Sequence, residues 1–137
     1  MKQEQRYTFK KEERLTGEKR IENLFAHGRS FISYPLRVVF LETSPAKDAP
    51  VSILISIPKK RIKSAVRRNR LKRLVREAYR LNKHRLSPAL FQENHRLEVA
   101  FIYVKEEVSD YATIQKSVVK ALAHIAREFA NREDEKC

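Results

Sequence analysis

Between Lys59 and Arg85 the chain reads KKRIKSAVRRNRLKRLVREAYRLNKHR, in which 13 of 27 residues are Lys or Arg and only Glu77 is acidic. That segment carries nearly all of the chain's net charge of +13, so the remainder is close to neutral. The segment is not a simple basic tail, because apolar residues recur in it at helical spacing. On a wheel of about 100° per residue, Leu71, Leu74, Val75, Ala78 and Leu81 share one face, while Asn69, Lys72, Arg73, Arg76, Arg80 and Lys83 share the other. The pattern predicts an amphipathic helix from about Ser64 to Asn82, with one side on a sheet and the other presenting cations.

Such a helix is poorly made for stability alone. Arg68 with Lys72, Lys72 with Arg76 and Arg76 with Arg80 are like charges at i, i+4, each costing a bare helix about 0.2–0.5 kcal/mol. Phosphates would supply the missing counter-charge, and Arg forks grip phosphate oxygens bidentately. Lys59, Lys60, Arg61 and Lys63 lie just upstream, near the helix N-terminus, where backbone N–H groups also favour phosphate. Loop and helix read as one polyanion site: Lys59, Lys60, Arg61, Lys63, Arg68, Asn69, Arg70, Lys72, Arg73, Arg76 and Arg80.

A pI near 10.1 narrows the partner to nucleic acid or an anionic membrane surface. A membrane-surface helix would carry bulky aromatics on its apolar face, and this one is aliphatic, so no membrane partner is expected. No apolar run approaches the roughly 20 residues of a bilayer span. The first residues, MKQEQRYTFKKEERL, hold no apolar signal-peptide core. A cytoplasmic location is expected. Cys137 is the single cysteine, which excludes a disulfide framework and a cysteine-based zinc site.

With 137 residues the chain is expected to form one nucleic-acid-binding domain, with 1–12 and 131–137 loose. Thr16 is a candidate cap for a helix ending near His27, with Gly28 as its stop signal and Ile21, Leu24 and Phe25 on one face. Ser30 to Leu41 reads as a strand in which Pro35 marks an edge or bulge. Thr43 to Pro50 reads as a loop and Val51 to Ile57 as a second strand with one buried and one mixed face. After the basic helix, 88–94 is expected to hold a short helical turn. Leu97 to Val104 reads as a third strand. Asp110 is a candidate cap for a last helix, whose stripe is Tyr111, Ile114, Val118, Leu122, Ile125 and Phe129. The order α-β-β-α-β-α implies an α/β (α+β) two-layer sandwich, a small sheet with helices packed on it.

The chain shows no catalytic constellation of its own. His27, His84, His95 and His124 are isolated, no HExxH or Gly-rich phosphate loop is present, and only two glycines exist. No catalytic residue and no metal ligand is assigned. Phe25, Phe31, Tyr34 and Phe40 either stack on unpaired bases or fill the core.

The run from Lys59-Lys60 through Ala65, Arg68-Asn69-Arg70, Lys72-Arg73 and Arg76-Glu77 resembles the signature segment of the bacterial ribonuclease P protein subunit. Phe9, Arg14-Leu15 and Phe25-x-x-Gly28-Arg29 are similar to that family as well, so the resemblance covers nearly the whole chain. Lys63 stands where many members have Gly, and Ile21 where some have a second aromatic. The resemblance implies a mixed sheet with a left-handed βαβ crossover, as in the second domain of a small-subunit ribosomal protein. It also implies binding to the catalytic RNA of ribonuclease P around Arg68-Asn69-Arg70. The 5′ leader of precursor tRNA would lie in a cleft between the first helix and the sheet, at Phe9, Arg14 and Phe25, with Tyr34 as a further candidate. Endonucleolytic removal of the leader would then be performed by the RNA and Mg²⁺ bound mainly to it. No obligate protein partner is implied. The alternative class is a non-enzymatic ribosomal or RNA-chaperone-type RNA-binding protein. A DNA-reading helix lacks its helix-turn-helix companion here.

Overall fold

The computed structural model describes residues 14–43, 51–86 and 96–136, with backbone alone at 96 and 129–136. Phe9, the loop expected up to Pro50, the turn expected at 88–94, His95, Cys137 and the expected loose segment 1–12 lie wholly or almost wholly outside the described residues. Among the described residues, three α-helices, α1 (Glu18–His27), α2 (Ala65–Asn82) and α3 (Tyr111–Lys136), accompany four strands: β1 (Arg29–Ser33), β2 (Leu36–Thr43), β3 (Val51–Ser56) and β4 (Arg96–Tyr103). The sheet order is β1-β2-β4-β3, with β3 parallel to β4 and the other pairings antiparallel. This is the expected mixed sheet with helices packed on it.

The expected first strand divides in two. Ser33 pairs with Leu36 across Tyr34-Pro35, so the proline occupies a hairpin turn rather than an edge or bulge within one strand. The ring removes a ladder donor and pre-sets a turn, which stops a strand from running through it. At the far end, α3 continues through 131–136, where a loose end was expected.

Alternation assigns the sheet two faces. One carries Leu36, Val38, Phe40, Ile53, Leu97, Val99, Phe101 and Tyr103, buried beneath α2 and α3 with Leu71, Val75, Ala78, Ile114, Val118, Leu122 and Ile125. Each buried Leu, Ile, Val or Phe among them contributes about 1.5–3 kcal/mol through burial. Phe31 and Phe40 belong to this core, their rings meeting edge to face at 5.8 Å, and Phe31 also stacks on His124 at 4.0 Å. Asp110 caps α3 as expected, its Oδ1 accepting the Thr113 N–H at 2.9 Å.

The other face packs Val39 and Ala100 against Leu15 and Leu24. Thr16 does not cap α1. The N-cap is Gly17, whose φ of 98° takes the left-handed region that admits the sharp entry from the β3 edge. Gly28 ends α1 where the chain presses on β2. A Cβ there would stand 2.5 Å from the Leu24 carbonyl oxygen and 2.9 Å from Val39 Cγ1.

Candidate nucleic-acid interface

The interface is organised from the start of α2. Ser64 is the N-cap, its Oγ accepting the Arg67 N–H at 3.3 Å. Upstream, the Pro58 carbonyl accepts the N–H groups of Arg61 at 3.0 Å and Ile62 at 3.2 Å, which folds the chain into a tight turn. Ile62 is buried and anchors that turn, while Lys59, Lys60 and Lys63 remain exposed. Arg61 reaches Glu106, 3.6 Å away in the segment after β4.

Arg68 has a structural task as well as a charge. Its Nη1 donates to the carbonyls of Ile62 at 3.0 Å and Lys63 at 2.8 Å, stapling the lysine-rich turn to the helix. Its two neighbours in the motif, Asn69 and Arg70, are exposed, as are Arg67 and Arg73. Lys72, Arg76 and Arg80 are half-buried.

The packed stripe of α2 is rotated from its expected position. Leu71, Val75 and Ala78 are buried, but so are Tyr79 and Asn82, while Leu74 and Leu81 are only half-buried. The cause is the neighbour: α2 lies mainly along α3 and touches the sheet lightly at β3. Tyr79 fills the angle between them, 6.4 Å from the Phe101 ring. The outward arc therefore holds Asn69, Arg70 and Arg73. Arg70, Arg73, Leu74, Arg76, Glu77 and Arg80 line an open groove of about 620 Å³.

Within this groove the one acid is already matched. Arg80 donates from Nε and Nη2 to Glu77 at 3.0 and 2.6 Å. The hydrogen bond holds the Glu77 carboxyl below the usual carboxylate range and raises Arg80. Arg76 is lowered from the ordinary arginine value, first by burial and then by the like charges of Arg14 and Arg73. Cations from the N-terminal segment and α2 thus converge where an anion would relieve their repulsion.

The four candidates for a leader cleft do not form one cluster. Arg14 is exposed beside Ile53 on the β3 edge, where the Leu15 N–H donates to the Ile53 carbonyl at 2.7 Å. Phe25 stands on α1 with 44 % of its surface exposed. Tyr34 is 63 % exposed, but it follows β1 whereas Phe25 precedes it, so the two stand at opposite ends of that strand. Phe9 lies outside the described residues. Beyond α1 the sheet face stays open at Ile32, 62 % exposed, and at Arg37, with Leu54, Ser56 and Ile102 half-buried. Arg37 and Arg67 are exposed cations outside the set predicted from the sequence. Arg37 was legible as a cation between Leu36 and Val38 in an alternating strand, and Arg67 as one more basic residue at the helix start.

Among the described residues no three His, Cys, Asp or Glu side chains converge as a metal-ligand cluster. None of the described helices is long and apolar enough to cross a membrane.

Fold and site together define an α+β sandwich that presents a polycationic helix and its preceding turn on one side. The family model for ribonuclease P matches residues 9–126. The ribonuclease P protein component of Porphyromonas gingivalis (strain ATCC 33277) is 45 % identical over 116 residues, 85 % of each chain. That of Chlorobaculum tepidum is 36 % identical over 94 residues, 64 % of this chain and 61 % of the relative. Among solved structures, the ribonuclease P protein of Thermotoga maritima superposes with a TM-score of 0.64 at 25 % identity, covering 82 % of this chain and 96 % of that one. The Staphylococcus aureus protein, at 20 % identity and a TM-score of 0.63, covers 83 % of this chain and 94 % of its own and supports the fold. The chain belongs to the ribonuclease P protein family, as a subunit of the holoenzyme that cleaves tRNA precursors. Membership implies partnership with the RNA of ribonuclease P, and catalysis based on that RNA.

Proposed function

We propose that this chain binds the catalytic RNA of ribonuclease P through the 59–63 turn and α2, and holds the 5′ leader of precursor tRNA against α1 and the open sheet face. The observation that carries the reading is the outward arc of α2, where Asn69, Arg70 and Arg73 are exposed and Glu77 is already bonded to Arg80. Lys59, Lys60, Lys63 and Lys72 extend the cationic surface, and Arg61 and Arg76 flank it. Each phosphate neutralised in this way releases counterions and weakens binding as salt rises. Arg68 serves the same site by shaping the turn. Phe25, with Arg14 and Arg37, offers stacking and charge to an unpaired leader.

The protein's part in hydrolysis is positional. Water activation and leaving-group stabilisation would come from Mg²⁺ held by the RNA, for which this chain assigns no ligand. This chain lowers the phosphate repulsion between enzyme RNA and substrate and adds contacts to the leader.

The test is reconstitution with a bacterial ribonuclease P RNA at low Mg²⁺, scored by correct 5′ processing of a precursor tRNA. No stimulation of cleavage by the protein would refute the reading. Arg70→Ala should cut RNA affinity and reduce the salt slope by about one. Arg68→Ala should do so too and also increase amide exchange in the 59–63 turn, because two carbonyls lose their donor.

A further inference from the structure

A second surface lies on the opposite side of the hairpin turn from the leader face. Tyr34, Ala112, Thr113, Lys116, Ser117 and Lys120 line a hollow of about 320 Å³ between the β1–β2 turn and α3. That volume is near the small end of ligand sites, so it suits one flat ring rather than a larger molecule. Tyr34 forms one wall with 63 % of its surface exposed. Lys116 and Lys120 are exposed at i, i+4 on the other wall, and no described residue forms an ion pair with either. Two like charges one helical turn apart oppose each other, as they do along α2.

The floor is fixed. Ser33 Oγ donates to the Ser117 carbonyl at 2.7 Å, and Ser117 Oγ donates to the Ser33 carbonyl. Both serines are buried, so the residue preceding Tyr34 is bonded to α3, and Tyr34 lines the hollow together with the lysines. The parallel register of β3 and β4 puts this turn at the same end of the sheet as the 59–63 turn, which is tied to the segment entering α3 by Arg61 and Glu106.

We propose that this hollow is a second RNA site, which takes a single unpaired nucleotide by stacking its base on Tyr34 and pairing its flanking phosphates with Lys116 and Lys120. The proposal rests on the reading that the chain works on RNA. An aromatic face accepts any base, and two ammonium groups beside it supply the charge that single-strand binding needs. The nucleotide comes either from the catalytic RNA or from the precursor tRNA.

The chain contains no Trp, so Tyr34→Trp gives a unique fluorescent reporter in the full-length protein. A uridine tetranucleotide should quench the indole emission of that variant, and adding Lys116→Ala and Lys120→Ala should remove most of the quenching. The same two lysine changes should lower the salt slope for the tetranucleotide by about 1.4, with an unchanged melting temperature. In the otherwise unaltered protein, Tyr34→Ala should weaken RNA binding about tenfold. Loss of affinity for catalytic RNA alone would identify that RNA as the source. Loss only for leader-bearing precursor, measured on the holoenzyme against mature tRNA, would identify the substrate. No quenching, quenching that survives the lysine changes, or no loss in either arm would overturn the site. Failure of the unaltered protein to support 5′ processing would instead refute the function proposed above and leave the quenching result standing.

Discussion

The sheet face under α2 and α3 and the face under α1 are built on opposite plans. The first is closed by two helices over an apolar core from Leu36 to Tyr103, with the buried Ser33–Ser117 pair and the Arg29–Glu128 ion pair only along its β1 edge. The second is covered by one helix, which leaves Ile32 and Arg37 to solvent and takes a carboxylate into its buried layer. Arg20 Nε donates to Glu98 at 3.0 Å, with the glutamate side chain 4 % exposed. The same strands carry both plans, because successive residues point to opposite faces. Stability is concentrated on one side, and the other side is free to bind.

The largest contrast is between two phenylalanines. Phe101→Ala on the closed face should cost about 3–5 kcal/mol in chemical denaturation, since the cavity has no room to collapse. Phe25→Ala on the open side should change stability by less than about 0.5 kcal/mol and instead weaken holoenzyme binding to a leader-bearing precursor. If both lose stability equally, the division between the faces is wrong. Next is Gly28→Ala. The added methyl meets the Leu24 carbonyl, which cannot move aside as a side chain would, so a loss of about 1–3 kcal/mol is expected. Glu98→Gln should cost about 1–2 kcal/mol, read as a lower midpoint in the same denaturation assay. A neutral or stabilising result there would mean that the α1 face does not depend on the negative charge of Glu98 beside Arg20.

The smallest effect concerns pH and the edge of the closed layer. The Asp110 carboxyl is held below its ordinary value by its hydrogen bonds with Thr113. A depressed carboxyl stabilises the fold above the ordinary carboxylate range, and that contribution disappears as pH falls through the lowered value. Asp110→Asn should therefore flatten the acid limb of a melting-temperature profile slightly, with little change at neutral pH. The exposed site and its sensitivity to salt keep the effect small.

Much of this is legible in residue order. The alternation of Val51, Ile53 and Ile55 marks a strand, and the α3 stripe through Ile114, Val118, Leu122 and Ile125 marks its buried side. Ser64 and Asp110 stand where their helices are expected to begin. Other features depend on neighbours that no local window contains. Tyr34-Pro35 reads as an irregularity in one strand, although it reverses the chain. Tyr79 falls outside the packed face of α2 on a wheel that assumes a sheet below the helix, and α3 lies there instead. Phe31 and Phe40 look no different from Phe25 and Tyr34 as candidates for stacking, yet the first two are core and the last two are exposed.

By itself, then, the sequence determined the elements, the cationic character of α2 and the family, because periodicity, charge and motif spacing are properties of the chain in order. The tertiary structure decided which cations face outward, that Arg68 staples the turn, and that Tyr34 sits with Lys116 and Lys120 rather than with Phe25. Those outcomes depend on which surfaces are covered by residues distant in sequence, and burial is settled only when the layers pack.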